Sequence, residues 1–202
     1  SKTEDEFFKE LERLMNVSAR SLKIKRNVIT KLLDEGLYPY TKRYLGTFGN
    51  HFSTIGLVGM NEACLNANWI GKDLTHKEAQ EFTKKVLNFM REKLSDYQEE
   101  YGDLYNLEAT PAEGTTYRLA RLDKAQYPNI ITAGDKDVYY TNSTQLPVGY
   151  TDDIMETVRL QDELQFLYTG GTVQHLYLGE RIEDPEVCKK LIKKIFTVSK
   201  MP

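Results

Sequence analysis

The sequence has few cysteines. Only Cys64 and Cys188 occur in its 202 residues, and they lie far apart. Such a pair builds no disulfide framework and no CxxC metal knuckle. A reducing, cytoplasmic setting is the simplest expectation. Excess positive charge is missing too. Lysine and arginine number 27 against 30 aspartates and glutamates, giving a net charge of -3. That balance disfavours a DNA partner. No apolar run approaches the ~18 residues of a membrane span, and no charged-apolar-small pattern opens the chain. HExxH, a phosphate-binding GxxxxGKS/T loop and a GxSxG elbow do not occur, so no metal site is expected and no catalytic residue is named. Repeats, low-complexity stretches and Pro/Gly/Ser linkers are also missing, and the length suits one domain. The chain starts at Ser1 rather than Met, in residues that already read as helix, and is expected to be a piece of a longer protein.

What remains is globular in composition, with 40% hydrophobic and 28% charged residues and a generous 13 tyrosines and 8 phenylalanines. Helix is expected over 3–35, opened by Thr3 with Glu6 in a capping box and closed at Gly36, with the part from Leu22 on either a second helix or a continuation. Residues 51–62 are apolar, glycine-punctuated and nearly uncharged until Glu62, which suits a buried strand leading into a turn or helix start. The plainest helix is 75–100, with Thr75 and Glu78 as a second capping box and a stripe of Ala79, Phe82, Val86, Phe89, Met90, Leu94 and Tyr97. Residues 105–109 read as a strand, 117–123 as a helix, 137–141 as a strand, 152–168 as a helix and 172–178 as β-rich. Asp184-Pro185 opens a last helix. Alternation of this kind predicts an α/β fold with some parallel pairing.

Three stretches are candidates for chemistry. Thr110-Pro111-Ala112-Glu113-Gly114-Thr115-Thr116 lies between a strand and a helix. Free amides at a helix N-terminus, small hydroxyl residues and a glycine that permits close approach suit an anion; an ordinary strand-to-helix turn has the same composition. The run from Gly56 to Glu62 ends in Asn61-Glu62, which a strand could deliver into a cleft; a buried strand with packing glycines is the plainer alternative. Residues 140–147 place Asn142 and Ser143 among hydrogen-bonding neighbours after a strand, suiting either a polar ligand or a self-satisfied turn. His175 is a weaker candidate. Cys64 reads as a small buried hydrophobe.

Four ordered blocks together carry a resemblance. They are Phe52-Ser53-Thr54-Ile55-Gly56-Leu57-Val58-Gly59-Met60-Asn61-Glu62, the stretch Leu107-Glu108-Ala109 running into Thr110–Thr116 and Arg118, the stretch Tyr140-Thr141-Asn142-Ser143-Thr144-Gln145-Leu146-Pro147-Val148, and Gly170-Gly171-Thr172 with His175. In order and spacing they resemble the anaerobic (class III) ribonucleoside-triphosphate reductases, over nearly the whole chain. The resemblance implies a partial ten-stranded α/β barrel of the ribonucleotide reductase and glycyl-radical type, with 1–202 as the later half of the catalytic domain. It implies an oxidoreductase that converts ribonucleoside triphosphates to deoxyribonucleoside triphosphates by glycyl and thiyl radical chemistry. Also implied for the parent are a radical-SAM activase, zinc, formate or a thiol as reductant, ATP and dATP as effectors, and a homodimer. Nothing here matches the family's regulatory, thiyl-cysteine, zinc or glycyl-radical segments, so no cofactor is expected within this chain, and alone it is expected to be inactive. By analogy with related reductases, the expected substrate-phosphate residues are Thr110, Pro111, Ala112, Glu113, Gly114, Thr115 and Thr116, with Glu62, Asn142 and Ser143 lining the same cleft. The competing reading is a non-catalytic nucleotide- or phosphate-binding domain on a related scaffold. Half a barrel leaves strand edges open, so self-association of the isolated chain is expected.

Overall fold

The computed structural model describes residues 2–199. It opens with α1 (Glu4–Asp34), α2 (Pro39–Tyr44) and β1 (Phe52–Leu57), followed by α3 (Met60–Asn66), α4 (Lys77–Tyr101) and β2 (Leu104–Ala109). Three further helices complete it: α5 (Glu113–Gln126), α6 (Ile154–Gln165) and α7 (Pro185–Val198). The chain is α/β, as expected. β1 and β2 pair in parallel, in register from Phe52↔Leu104 to Leu57↔Ala109. α3 and α4 make the crossover that parallel strands require.

Sequence periodicity explains the core. α1 and α4 present Met15, Ala19, Phe82, Val86, Leu87, Met90, Leu94 and Tyr97 toward the sheet residues Ile55, Tyr105 and Leu107, all of them buried. At one end Phe7, Phe8, Trp69, Phe82 and Phe89 meet edge-on, with ring centroids 5.1–6.3 Å apart, the arrangement aromatic quadrupoles favour. Toward the other end Lys23 bonds Asp103 at 2.9 Å, while Arg26 donates to the carbonyls of Phe48 and His51, each at 2.7 Å.

Some expectations need correction. The helix from Thr3 is one element of 31 residues, with the Thr3 hydroxyl accepting from the Glu6 amide at 3.2 Å. The second capping box does not form. His76 occupies the N-cap without a side-chain bond. Asp73 instead accepts from the Thr75 amide at 3.0 Å, from the Thr75 hydroxyl and from the His76 ring, and Glu78 pairs with Lys72 at 2.7 Å. An Asx-type turn has outcompeted the box. α5 starts at Glu113, four residues before the expected start. The expected strand at 137–141 reduces to one antiparallel bridge, Ala133↔Tyr139. Residues 172–177 keep the alternation of a strand, with Val173, His175 and Tyr177 exposed and Thr172, Gln174 and Leu176 half-buried, and Leu178 breaks it; the segment 172–178 joins no ladder among the described residues. The sheet of the described residues therefore has two strands, and the implied barrel is not closed by them. Among those residues no helix is long and apolar enough to cross a membrane.

Candidate functional site

The four blocks meet beyond the carboxyl ends of β1 and β2, where open parallel sheets place their ligand crevices. β2 ends at Ala109, and Thr110 to Ala112 lead into α5. Ala112 and Glu113 have φ of 53° and 22°, unusual for residues with a side chain. This left-handed entry leaves α5 without a side-chain cap. The Thr115 and Thr116 amides both turn to the Ala112 carbonyl, at 2.7 and 3.3 Å. Among the described residues no acceptor meets the amides of Ala112, Glu113 or Gly114. Nothing lies within 4 Å of a Cβ built on Gly114, so the approach is open. Glu113 to Thr115 are exposed, and the Thr116 hydroxyl donates back to the Glu113 carbonyl at 2.8 Å. The loop thus offers three amides and the Thr115 hydroxyl at the positive end of a helix, the partners an anion needs. The Glu113 carboxylate stands in the same turn and opposes a second negative group.

The run from Gly56 to Glu62 builds the neighbouring wall. A Cβ on Gly56 would fall 2.9 Å from the Cβ of Thr110, so glycine lets the 110 loop cross close over β1. Gly59 has φ of 74° and opens α3; a Cβ there would press on Tyr140 at 3.1 Å. The Gly59 and Met60 amides donate to the carbonyls of Thr141 and Ser143, at 2.8 and 3.1 Å. Glu62 is 1% exposed and accepts from the Thr141 amide at 2.9 Å, the Thr141 hydroxyl at 2.6 Å and Asn61 Nδ2 at 3.1 Å. Its carboxylate is occupied with holding the 140–143 turn. Ser143, with φ of 45°, directs its buried hydroxyl to the Thr110 carbonyl at 3.0 Å and Asn142 Oδ1 at 2.6 Å, joining that turn to the 110 loop.

A cavity of about 260 Å³ lies among these segments. Of the predicted residues, Pro111, Thr116, Asn142 and His175 line it. Thr110, Ala112, Glu113, Gly114, Thr115, Glu62 and Ser143 do not line it; residues 112–115 join the two lining residues Pro111 and Thr116, and Glu62 borders a separate hollow with Gly59 and Tyr140. The fourth block is fastened to β2: the Gly170 amide donates to the Leu107 carbonyl at 2.7 Å, and the Ala109 amide to the Gly171 carbonyl at 3.0 Å. A Cβ on Gly170 would come within 3.0 Å of the Leu107 carbonyl. From there the chain extends past the cavity and delivers His175 to it.

Sequence reasoning missed three tyrosines. Tyr139, Tyr150 and Tyr177 line the cavity together with Tyr140 of the third block. Their signal was their position beside the quoted blocks in a tyrosine-rich chain. Tyr140 donates to Asp123 at 2.6 Å, and burial together with that carboxylate raises its phenol above the ordinary range. Elsewhere, burial pushes the Cys64 thiol up to about 11. It is protonated at neutral pH, in keeping with a packing role. No group of three metal-ligating side chains occurs among the described residues.

Comparison with known proteins follows the same lines. The family described as anaerobic ribonucleoside-triphosphate reductase matches residues 1–202. The anaerobic ribonucleoside-triphosphate reductase of Enterobacteria phage T4 is 28% identical over 132 residues, which is 65% of this chain and 20% of that protein. The anaerobic ribonucleotide reductase of Thermotoga maritima, solved with MES in its active site, superposes with a TM-score of 0.78 at 24% identity, over 99% of this chain and 33% of that one. Its complex with dATP and CTP gives 0.77 at 24% identity, over 98% and 32%. The chain spans about a fifth of the phage relative and a third of the solved chains.

Proposed function

This chain belongs to the anaerobic ribonucleoside-triphosphate reductase family, and from that premise we propose that it is the part of such an enzyme that receives the substrate's triphosphate. The parent activity is the reduction of a ribonucleoside triphosphate to a deoxyribonucleoside triphosphate, and this segment is the later part of a ten-stranded catalytic barrel in a cytoplasmic homodimer activated by a radical-SAM partner. The observation that carries the assignment is the set of unpartnered amides at Ala112, Glu113 and Gly114, beside the open face of Gly114. A phosphate there takes charge-assisted bonds from main chain already fixed in place by β2 and by Ser143, so little ordering is required on binding.

The chain's own residues divide the work. The 112–115 turn binds the phosphate tail. Glu62, Ser143, Gly59 and Met60 hold the 140–143 turn, and that turn sets Asn142 in the cavity. The radical of the parent supplies hydrogen abstraction from the ribose, and no residue here is assigned to that step. The parent's zinc does not fit this chain: Cys64 is buried and protonated near neutral pH, and no cluster of ligands surrounds either cysteine among the described residues. The T. maritima enzyme has been solved with dATP and CTP, and a nucleotide is the ligand proposed here.

Calorimetry tests the assignment. Gly114→Val, and separately Thr115→Val, should each weaken triphosphate binding by about 1.5–3 kcal/mol for every bond lost to a charged group. Unchanged affinity in both variants would remove the turn from the site.

A further inference from the structure

Along α5 one side is buried at helical spacing. Thr116 and Ala120 are buried there, and Asp123 follows, half-buried, at the third turn. A carboxylate on that side needs a donor. The donor comes from another loop: the Tyr140 hydroxyl bonds Asp123 Oδ2 at 2.6 Å. Tyr140 is itself held in place. Its side chain lies against Gly59, where an added Cβ would stand 3.1 Å from the Tyr140 Cβ and 3.2 Å from its Cγ. The next residue, Thr141, accepts from the Gly59 amide and donates its own amide and hydroxyl to Glu62.

The 140–143 turn therefore holds α5 at two places. Ser143 bonds the Thr110 carbonyl just before the helix. Tyr140 bonds Asp123, which lies about 15 Å along the axis from Glu113 at a rise of about 1.5 Å per residue. A helix tied at one end can pivot; a helix tied at both has a fixed direction. The unpartnered amides of Ala112, Glu113 and Gly114 open α5 and move with it.

We propose that Asp123 is a positioning residue: through Tyr140 it fixes the direction of α5 and so aims the amides of residues 112–114 at the anion they bind. The inference rests on the reading that this turn binds the substrate's phosphates. The effect of Asp123 on binding has a diagnostic sign. By charge alone, removing a carboxylate favours an anion, and only weakly, because about 15 Å exceeds the screening length of about 8–10 Å in ordinary salt. By positioning, removing the bond opposes the anion.

The test is titration of the 202-residue chain with tripolyphosphate, read by calorimetry and by the ¹⁵N amide signals of residues 112–114, with circular dichroism as the control for folding. The variants are Asp123→Ala, Asp123→Asn, Tyr140→Phe and the pair Asp123→Ala/Tyr140→Phe. Asp123→Ala and Tyr140→Phe should each weaken tripolyphosphate by about 2- to 12-fold, as for one hydrogen bond, and shift the three amide signals of the ligand-free chain. The pair should bind no more weakly than either single variant, because both remove the same bond. Asp123→Asn keeps an acceptor oxygen and should match the wild type. A role in stability alone would lower the unfolding temperature and leave the affinity of the folded chain unchanged. Should Asp123→Ala fail to fold, Tyr140→Phe, which keeps the ring, decides alone. Unchanged or tighter binding in Asp123→Ala or Tyr140→Phe, additive losses in the pair, or an equal loss in Asp123→Asn would each overturn the positioning role and leave the phosphate turn standing. If tripolyphosphate does not bind the wild type, the phosphate reading falls. The positioning role then stands if the ligand-free signals of 112–114 shift in Asp123→Ala and Tyr140→Phe and return in Asp123→Asn, and falls otherwise.

Discussion

The layer formed by α1, α4 and the sheet and the loops between residues 128 and 182 are held together by different means. The layer is closed by apolar side chains: Phe82, Val86, Met90 and Leu94 recur along one stripe of α4 and meet Met15 and Ala19 of α1. The loops contain α6 and little other regular structure, yet they bury Thr141, Ser143, Thr144, Gln145, Gln161 and Gln165. There the order comes from side chains bonded to other side chains and to main chain: Glu62 to Thr141, Gln145 to Val173, Thr172 to Gln165, and Tyr168 to Thr144 at 3.1 Å. Apolar packing tolerates small displacements because it is non-directional. A buried polar network does not, because each unmade bond leaves a desolvated group. The stable layer thus carries a site whose geometry is fixed by direction rather than by volume.

That comparison can be broken most forcefully in the layer. Leu107→Ala empties a fully buried position between the strands and the helices and should cost about 2–5 kcal/mol. Chemical denaturation measures this, and the whole chain should unfold with the lower midpoint.

The core beside the layer also has a pH signature, through Cys64 of α3, which packs against Ala79 and Thr83 of α4. The Cys64 thiol, ordinarily near 9.0, is raised to about 11 by burial. Well below pH 9 it is protonated whether the chain is folded or not, and it contributes no slope. Between pH 9 and 11 the unfolded chain loses the proton first, so stability falls, by at most about 2–3 kcal/mol. Denaturation midpoints across that range should drop less steeply in Cys64→Ala than in the wild type.

The loop side should respond differently. Glu62→Gln removes one of the two acceptor oxygens that hold Thr141 and should cost about 1–2 kcal/mol. Its main effect should be local: faster hydrogen exchange at the Thr141 amide, with exchange in α4 nearly unchanged. Equal loss of protection in both regions would mean that the two are one cooperative unit.

Legibility in the sequence follows the same division. The helix from Thr3, the α4 stripe and both strands of the sheet were readable, because burial on one face imposes a period on the residue types. The last helix was readable from Asp184, whose side chain accepts from the Glu186 amide at 2.8 Å. The 137–141 and 172–178 segments have the composition of strands but lack partners among the described residues, and a strand exists only by pairing. The wall tyrosines have no period of their own; the loops that carry them meet only in the folded chain. Glu62 was visible as a polar residue at the end of a strand, but nothing local disclosed that Thr141, far along the chain, would take its carboxylate. The turn at 110–116 was legible as a composition. Its left-handed entry at Ala112 and Glu113 was not, because both are residues that ordinarily avoid such backbone.

The smallest expected effect lies at that turn. Glu113→Gln removes a negative charge from the first turn of α5, where it competes with an incoming phosphate. Phosphate affinity should rise by about 0.3–1 kcal/mol, read by titration with tripolyphosphate.

Amide chemical shifts give the most direct test of the phosphate turn. On adding tripolyphosphate to the ¹⁵N-labelled chain, the signals of Ala112, Glu113 and Gly114 should move furthest and saturate together, while those of the α4 stripe stay in place. Binding that leaves these three signals where they were would contradict the account.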